Sequence, residues 1–128
     1  MKIILDTNFL IYCAREKLNY AEEIGNLINE GFELVVPLQV VKELKSLRND
    51  KLKKVKGRDK DAADLALQLL NINKVKEVEV EGKTVDEGII NLAEEDKKNI
   101  VATLDREMRG ILGRVILINR GKKLMLTR

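Results

Sequence analysis

The sequence contains no histidine and no tryptophan, one cysteine (Cys13) and one proline (Pro37) in 128 residues. Without histidine, Ser-His and Cys-His nucleophile pairs are excluded. A single cysteine forms no intrachain disulfide, and the grouped His and Cys ligands of a zinc site are missing. Two Phe and two Tyr are too few for base stacking to be a major source of nucleic-acid affinity. No apolar run approaches the length of a membrane span. The opening run Lys2 to Leu5 is too short for a signal-peptide core. The expectation is a cytoplasmic protein with no membrane partner.

Charge is abundant. Charged residues make up 35% and hydrophobic residues 45% of the chain, which describes a folded protein with a heavily charged surface. The length suits one domain, residues 1–128, and is too short for two ordinary ones. Twenty-one Asp and Glu are present, and oxygen-rich sites suit hard cations such as Mg2+ and Mn2+. The net charge of +3 is unevenly spread. Arg48, Lys51, Lys53, Lys54, Lys56, Arg58 and Lys60 face only Asp50 and Asp59 in one stretch. That stretch reads either as a phosphate-neutralising surface or as a solvated loop. Lys122, Lys123 and Arg128 extend the same charge.

Strand and helix patterns alternate. Lys2 to Leu5 predicts a first strand, and Asp6-Thr7-Asn8 are helix-starting residues. Tyr20 to Glu30 predicts a helix with Gly31 as its C-cap. Residues 33–36 predict a strand, and Pro37 fits the first turn of the helix that follows. A further helix is expected from about Lys60 to Leu70, then a short strand around Val75, Val78 and Val80. A helix runs from Val85 to about Asp96, followed by a strand from Ile100 to Thr103. Arg106 to Leu112 reads as a helix closed by Gly113, and Val115 to Ile118 as a strand. Residues 121–128 pair as an edge strand or lie loose. The alternation predicts an α/β fold: three layers, α/β/α, around a mainly parallel sheet.

In such sheets functional groups gather at the carboxyl ends of the strands. Asp6 and Asp105 both follow strands there. Glu43 lies three residues after Val40 and four before Leu47, so it borders an apolar helical face. Asp86 precedes Ile89, Ile90 and Ala93 by three, four and seven residues, on an inward stripe. Buried unpaired carboxylates are costly, and several together either protonate or hold cations. A divalent ion there lowers the pKa of bound water and stabilises charge on a phosphate. The plainer roles stand beside this one. Asp6, Thr7 and Asp105 also suit helix caps, Glu43 suits a solvated helix surface, and Thr84 to Glu87 forms a capping box.

Four segments carry a resemblance. Ile3 to Asn8 resembles the opening of PIN domains, an apolar strand followed by Asp-Thr-Asn. Pro37 to Leu44 resembles the second motif of that family, Asp86 to Ile90 the third, and Val101 to Asp105 the fourth. They occur in family order across almost the whole chain. The resemblance implies Asp6, Glu43, Asp86 and Asp105 as catalytic metal ligands for Mg2+ or Mn2+, with Glu87 as the alternative to Asp86. The inward stripe ranks Asp86 first. It also implies that Asn8 and Thr103 hydrogen-bond to and orient those ligands. Arg48, Lys51, Lys53, Lys54, Lys56 and Arg58 become RNA-binding candidates.

The implied activity is a metal-dependent endoribonuclease. The spacing and the tail are most similar to the archaeal and eukaryotic branch tied to ribosomal RNA processing, with the toxin branch next. A non-catalytic RNA-binding module is a further alternative, and a flap-type DNA nuclease ranks below it. The family implies RNA as substrate, and a homodimer, an antitoxin or a ribosome-assembly factor as partner.

Overall fold

The computed structural model describes residues 1–51 and 54–127. Lys53 and Arg128 lie outside the described residues. The chain begins with β1 (Lys2–Leu5), α1 (Thr7–Arg15), α2 (Tyr20–Leu27), β2 (Glu33–Pro37), α3 (Leu38–Arg48) and α4 (Gly57–Ile72). It continues with β3 (Lys76–Val78), α5 (Val85–Glu94), β4 (Ile100–Ala102), α6 (Arg106–Leu112), β5 (Val115–Ile118) and β6 (Leu124–Leu126).

The strands form one six-stranded sheet in the order β3-β2-β1-β4-β5-β6. All pairs are parallel except β5 with β6. Ile3, Ile4 and Leu5 of β1 are completely buried, as are Ile100, Val101 and Ala102 of β4. Apolar residues on both faces of these strands suit a sheet covered by helices on both sides. Helices α1, α3 and α4 pack together in one layer, while α5 packs on α6 and against β1, β2 and β4. The expected three-layer α/β/α architecture is therefore present. Phe9 and Tyr20 meet edge to face in the core, with centroids 6.2 Å apart. Among the described residues no helix is long and apolar enough to cross a membrane.

Several boundaries depart from expectation. Helix α2 stops at Leu27, and Gly31 does not cap it. Ile28 takes extended angles (φ −107°, ψ 119°) as the helix's last cap, which turns its side chain into the core, 7% exposed. Burial of a β-branched residue outweighs continuing the helix. Pro37 is not in the first helical turn. It ends β2 and caps α3 with ψ 141°. Helix α4 starts at Gly57, ahead of Lys60, and α5 ends at Glu94, ahead of Asp96. The tail resolves in favour of an edge strand, because Leu124 to Leu126 pair with Ile116 to Ile118.

The order of strands reverses direction at β1, whose neighbours are β2 and β4. This is a topological switch point, where the chain leaves adjacent strands toward opposite helical layers and a crevice opens at the carboxyl edge.

Candidate active site

Asp6 sits at that crevice. Its backbone N–H donates to Ala102 O at 3.1 Å, so the last residues of β1 and β4 are held side by side. As the N-cap of α1, its Oδ1 accepts from the Thr7 N–H at 2.7 Å. Its Oδ2 accepts from the Thr103 hydroxyl, also at 2.7 Å. The residue is only 5% exposed. Burial pushes its carboxyl above the usual carboxylate range, the Thr103 and Thr7 hydrogen bonds oppose this, and the charges of Asp86 and Asp105 add to it.

Thr103 joins two of the acids. Its hydroxyl donates to Asp6 and accepts the Asp105 N–H at 3.0 Å. Asp105 caps α6, with Oδ1 accepting from the Glu107 N–H at 2.9 Å. Its capping role and its nearness to Asp6 therefore coexist.

Glu43 is exposed on α3, yet its carboxyl is also raised. Partial burial of the carboxyl is the largest cause, the Thr7 side chain opposes it, and the charges of Asp6 and Asp86 add to it. The Thr7 hydroxyl is buried and lies near Glu43, with no other partner among the described residues.

Asp86 is exposed rather than inward. The buried residues of α5 are Gly88, Ile89, Leu92 and Ala93. Asp86 precedes them in the first turn, where the inward row meets the crevice instead of the core. Its charge acts on both Asp6 and Glu43. Glu87 has a different task. Its N–H donates to Thr84 Oγ1 at 3.1 Å, and its Oε2 accepts from the Lys83 N–H at 2.8 Å. That is a capping arrangement, and it occupies the carboxylate away from the other acids.

Asp6, Glu43, Asp86 and Asp105 thus share one electrostatic neighbourhood, built from two strand–helix junctions, the second turn of α3 and the first turn of α5. Among the described residues no three acids converge tightly enough to cage an ion directly. The donors nevertheless fit a hard cation such as Mg2+, which keeps several waters and is held through one or two carboxylates. Burial first, and then the charges of the neighbouring acids, raise the Asp6 and Glu43 carboxyls, and a cation among these donors would offset the second effect.

Asp105 opens onto a cleft of about 480 Å³, lined also by Asn8, Tyr12, Arg15, Leu104 and Arg106. The expected orienting hydrogen bond from Asn8 is absent among the described residues. Asn8 is exposed on the cleft wall, because its place one residue into α1 points it outward. Of the basic candidates, Arg48 is engaged by Asn49 at 3.1 Å and Asp64 at 3.8 Å. Lys51, Lys54, Lys56 and Arg58 are exposed. The Arg15–Asp59 ion pair at 2.7 Å ties the first turn of α4 to Arg15 on the cleft wall.

Thr7, Tyr12, Arg15 and Arg106 were not among the sequence candidates. Asn8, Tyr12 and Arg15 follow a helical row, so that signal was present in the spacing. Gly88 also had a signal, as a glycine inside a helix. An added Cβ there would lie 2.5 Å from Val80 Cγ2, so Gly88 lets the segment before α5 pack on the turn that carries Asp86. The Gln39 side-chain amide secures the same segment, donating to Val80 O at 3.0 Å.

The family model described as a PIN like domain matches residues 3–120. Ribonuclease VapC4 of Methanocaldococcus jannaschii is 40% identical over 108 residues, covering 84% of this chain and 79% of that protein. Ribonuclease VapC9 of Archaeoglobus fulgidus is 35% identical over 107 residues, covering 83% and 71%. Among solved structures, the PIN domain endonuclease Utp24 superposes with a TM-score of 0.76 at 17% identity, covering 98% of this chain and 90% of that one.

Proposed function

This chain belongs to the PIN-like domain family, and from that premise we propose that it is a metal-dependent endoribonuclease acting at the Asp6–Asp105 crevice. The observation that carries this is the Thr103 hydroxyl bridging Asp6 and Asp105, within reach of the charges of Glu43 and Asp86. The two relatives named as ribonucleases support RNA as the substrate.

The chain has no histidine, so Ser-His and Cys-His nucleophile pairs are excluded, and Cys13 is buried with its thiol pushed up to about 12. In this reading water is the attacking group. Asp6, Glu43, Asp86 and Asp105 would hold Mg2+ or Mn2+, which when bound acidifies water and offsets charge on the phosphate. Thr103 and Thr7 N–H fix the orientation of Asp6, and the Glu107 N–H fixes that of Asp105. Rigid carboxylates lose little freedom when an ion arrives. Cationic side chains near the cleft neutralise phosphates outside the acidic centre.

Ribosomal RNA processing, with a ribosome-assembly partner, is the setting that the motif spacing supports. A toxin ribonuclease with an antitoxin partner is the second reading, drawn from the same motifs. A small gene adjacent to this one whose product blocks cleavage would favour the second.

The direct test is cleavage of end-labelled single-stranded and structured RNA in Mn2+, Mg2+ or EDTA, comparing wild type with Asp6→Asn. Cutting that needs the ion and disappears in the variant is the expected result. Cutting that persists in EDTA or in Asp6→Asn would overturn the mechanism.

A further inference from the structure

The four acids reach the crevice as two pairs. Thr103 ties the first pair, Asp6 and Asp105, by hydrogen bonds. The second pair is joined differently. Glu43 stands on α3, which packs with α1 and α4, and Asp86 stands on α5, which packs on α6. The two carboxylates therefore come from different helical layers, yet the charge of Asp86 acts on Glu43. Asp86 lies in the first turn of its helix, and helix ends fray unless something fastens them.

The fastening is the segment Val80 to Gly82, which leads from β3 into α5. Asn91 Nδ2 donates to Glu81 O at 2.6 Å. A Cβ at Gly82 would lie 2.6 Å from Gly88 N, and one at Gly88 would lie 2.5 Å from Val80 Cγ2. Both glycines thus let the segment lie against the first turns of α5. The capping bonds of Thr84 and Glu87 close the link between them. Segment and helix start form one unit. Gln39 reaches this unit from the other layer, with Nε2 donating to Val80 O at 3.0 Å. Among the described residues this is the one side-chain hydrogen bond from α3 to the unit.

Gln39 Oε1 is buried and has no donor among the described residues. Burying a carbonyl unpaired is unfavourable, so the amide serves here through its N–H. Gln39 also precedes Glu43 by four residues on α3, which puts both on one helical row. We infer that Gln39 is a positioning residue that sets Glu43 against Asp86, as Thr103 sets Asp6 against Asp105. A shift of the Val80 carbonyl moves Gly88 through their contact, and Asp86 stands two residues before Gly88. The inference rests on the ribonuclease proposal and deepens it: the acid set is two braced pairs, one held through the sheet edge and one held across the layers.

The test uses Gln39→Met in the full chain, which keeps the length of the side chain and removes the donor. Mn2+ binding is measured without RNA, from the spin-resonance signal of the free ion, for this variant alone and combined with Asp86→Asn or Asp105→Asn. Loss of a contact that orients a ligand weakens metal binding about 10–100-fold, and Gln39→Met should lose at least about tenfold. The loss should vanish in the Asp86→Asn background, where the braced ligand is already gone, and persist in Asp105→Asn. Unchanged Mn2+ affinity, or an equal loss in both backgrounds, would overturn the inference.

A metal-free measurement separates it from the ribonuclease proposal. Lys45 on α3 and Lys83 before α5 are exposed, whereas Cys13 is buried. Spin labels on Lys45→Cys and Lys83→Cys read the distance from α3 to the segment by pulsed dipolar spectroscopy, and Gln39→Met should shift or broaden it. A distance distribution the same as in the labelled parent would overturn the brace. A changed distribution in a protein that binds no Mn2+ would count against the metal-dependent ribonuclease proposal and leave the brace standing.

Discussion

The Thr103 hydroxyl donates to Asp6 Oδ2 at 2.7 Å across 97 positions of sequence. The same oxygen accepts the Asp105 N–H. One buried hydroxyl, 1% exposed, therefore sets the spacing between the ends of β1 and β4. Thr103→Val keeps the shape, removes the donor from a buried carboxylate and leaves an N–H without its acceptor. A loss of about 1.5–3 kcal/mol is expected, the range for hydrogen bonds to charged groups. Urea unfolding measures it. Thr103→Ser should recover most of the loss, and a Val variant as stable as wild type would count against the bridge.

The Asp6 carboxyl makes stability depend on pH in a definite direction. Burial raises it above the usual range, so the folded chain holds this proton more tightly than the unfolded one. Its stabilising contribution is complete below about pH 4 and is lost as pH rises through the raised folded value. Asp6→Asn does not titrate. Its melting temperature relative to metal-free wild type should therefore climb as pH rises from about 4 toward neutrality. Mg2+ or Mn2+ should raise the melting temperature of wild type at neutral pH and do little for the variant. A difference that stays constant with pH would contradict the assignment.

Asp86 and Glu87 are neighbours with separable roles. Asp86→Asn should leave the melting temperature nearly unchanged and reduce cleavage on the order of 100-fold. Glu87→Ala should lose about 1 kcal/mol of stability through its cap and keep most of the activity. The reverse pattern would make Glu87 the functional acid.

Gly88→Ala places a methyl 2.5 Å from Val80 Cγ2. Overpacking of this kind costs about 1–3 kcal/mol, and the displaced turn carries Asp86, so activity should fall with stability. Val80→Ala removes the opposing methyl. The double variant should be more stable than Gly88→Ala alone, a coupling that a double-mutant cycle reads directly.

The fold was legible because its elements alternate and punctuate themselves. Val115 to Ile118 and Lys2 to Leu5 are apolar runs with clear ends, and Asp6 and Asp105 announce the helices after them. Asp6 and Asp105 were legible for the same reason, while Glu43 and Asp86 were legible from their helical spacing to apolar neighbours. The end of α2 was not, because the pull of the core on Ile28 is a tertiary effect. Neither was the engagement of Arg48 by Asp64, which depends on how α3 lies on α4. The stripe on α5 predicted burial for Asp86. It failed because periodicity says which side a residue faces, and not whether sheet or open crevice lies opposite.

The placement of β4 between β1 and β5 has a consequence during synthesis. Asp6 is made long before the residues that complete its surroundings, Ala102, Thr103 and Asp105, with Thr103 97 positions further along. A ribosome-bound nascent chain that has not yet exposed them carries an open seam beside β1 and only part of the acid set. The Asp6–Thr103 bridge therefore closes only after β4 has been made, so the order of translation sets when the acid set can assemble.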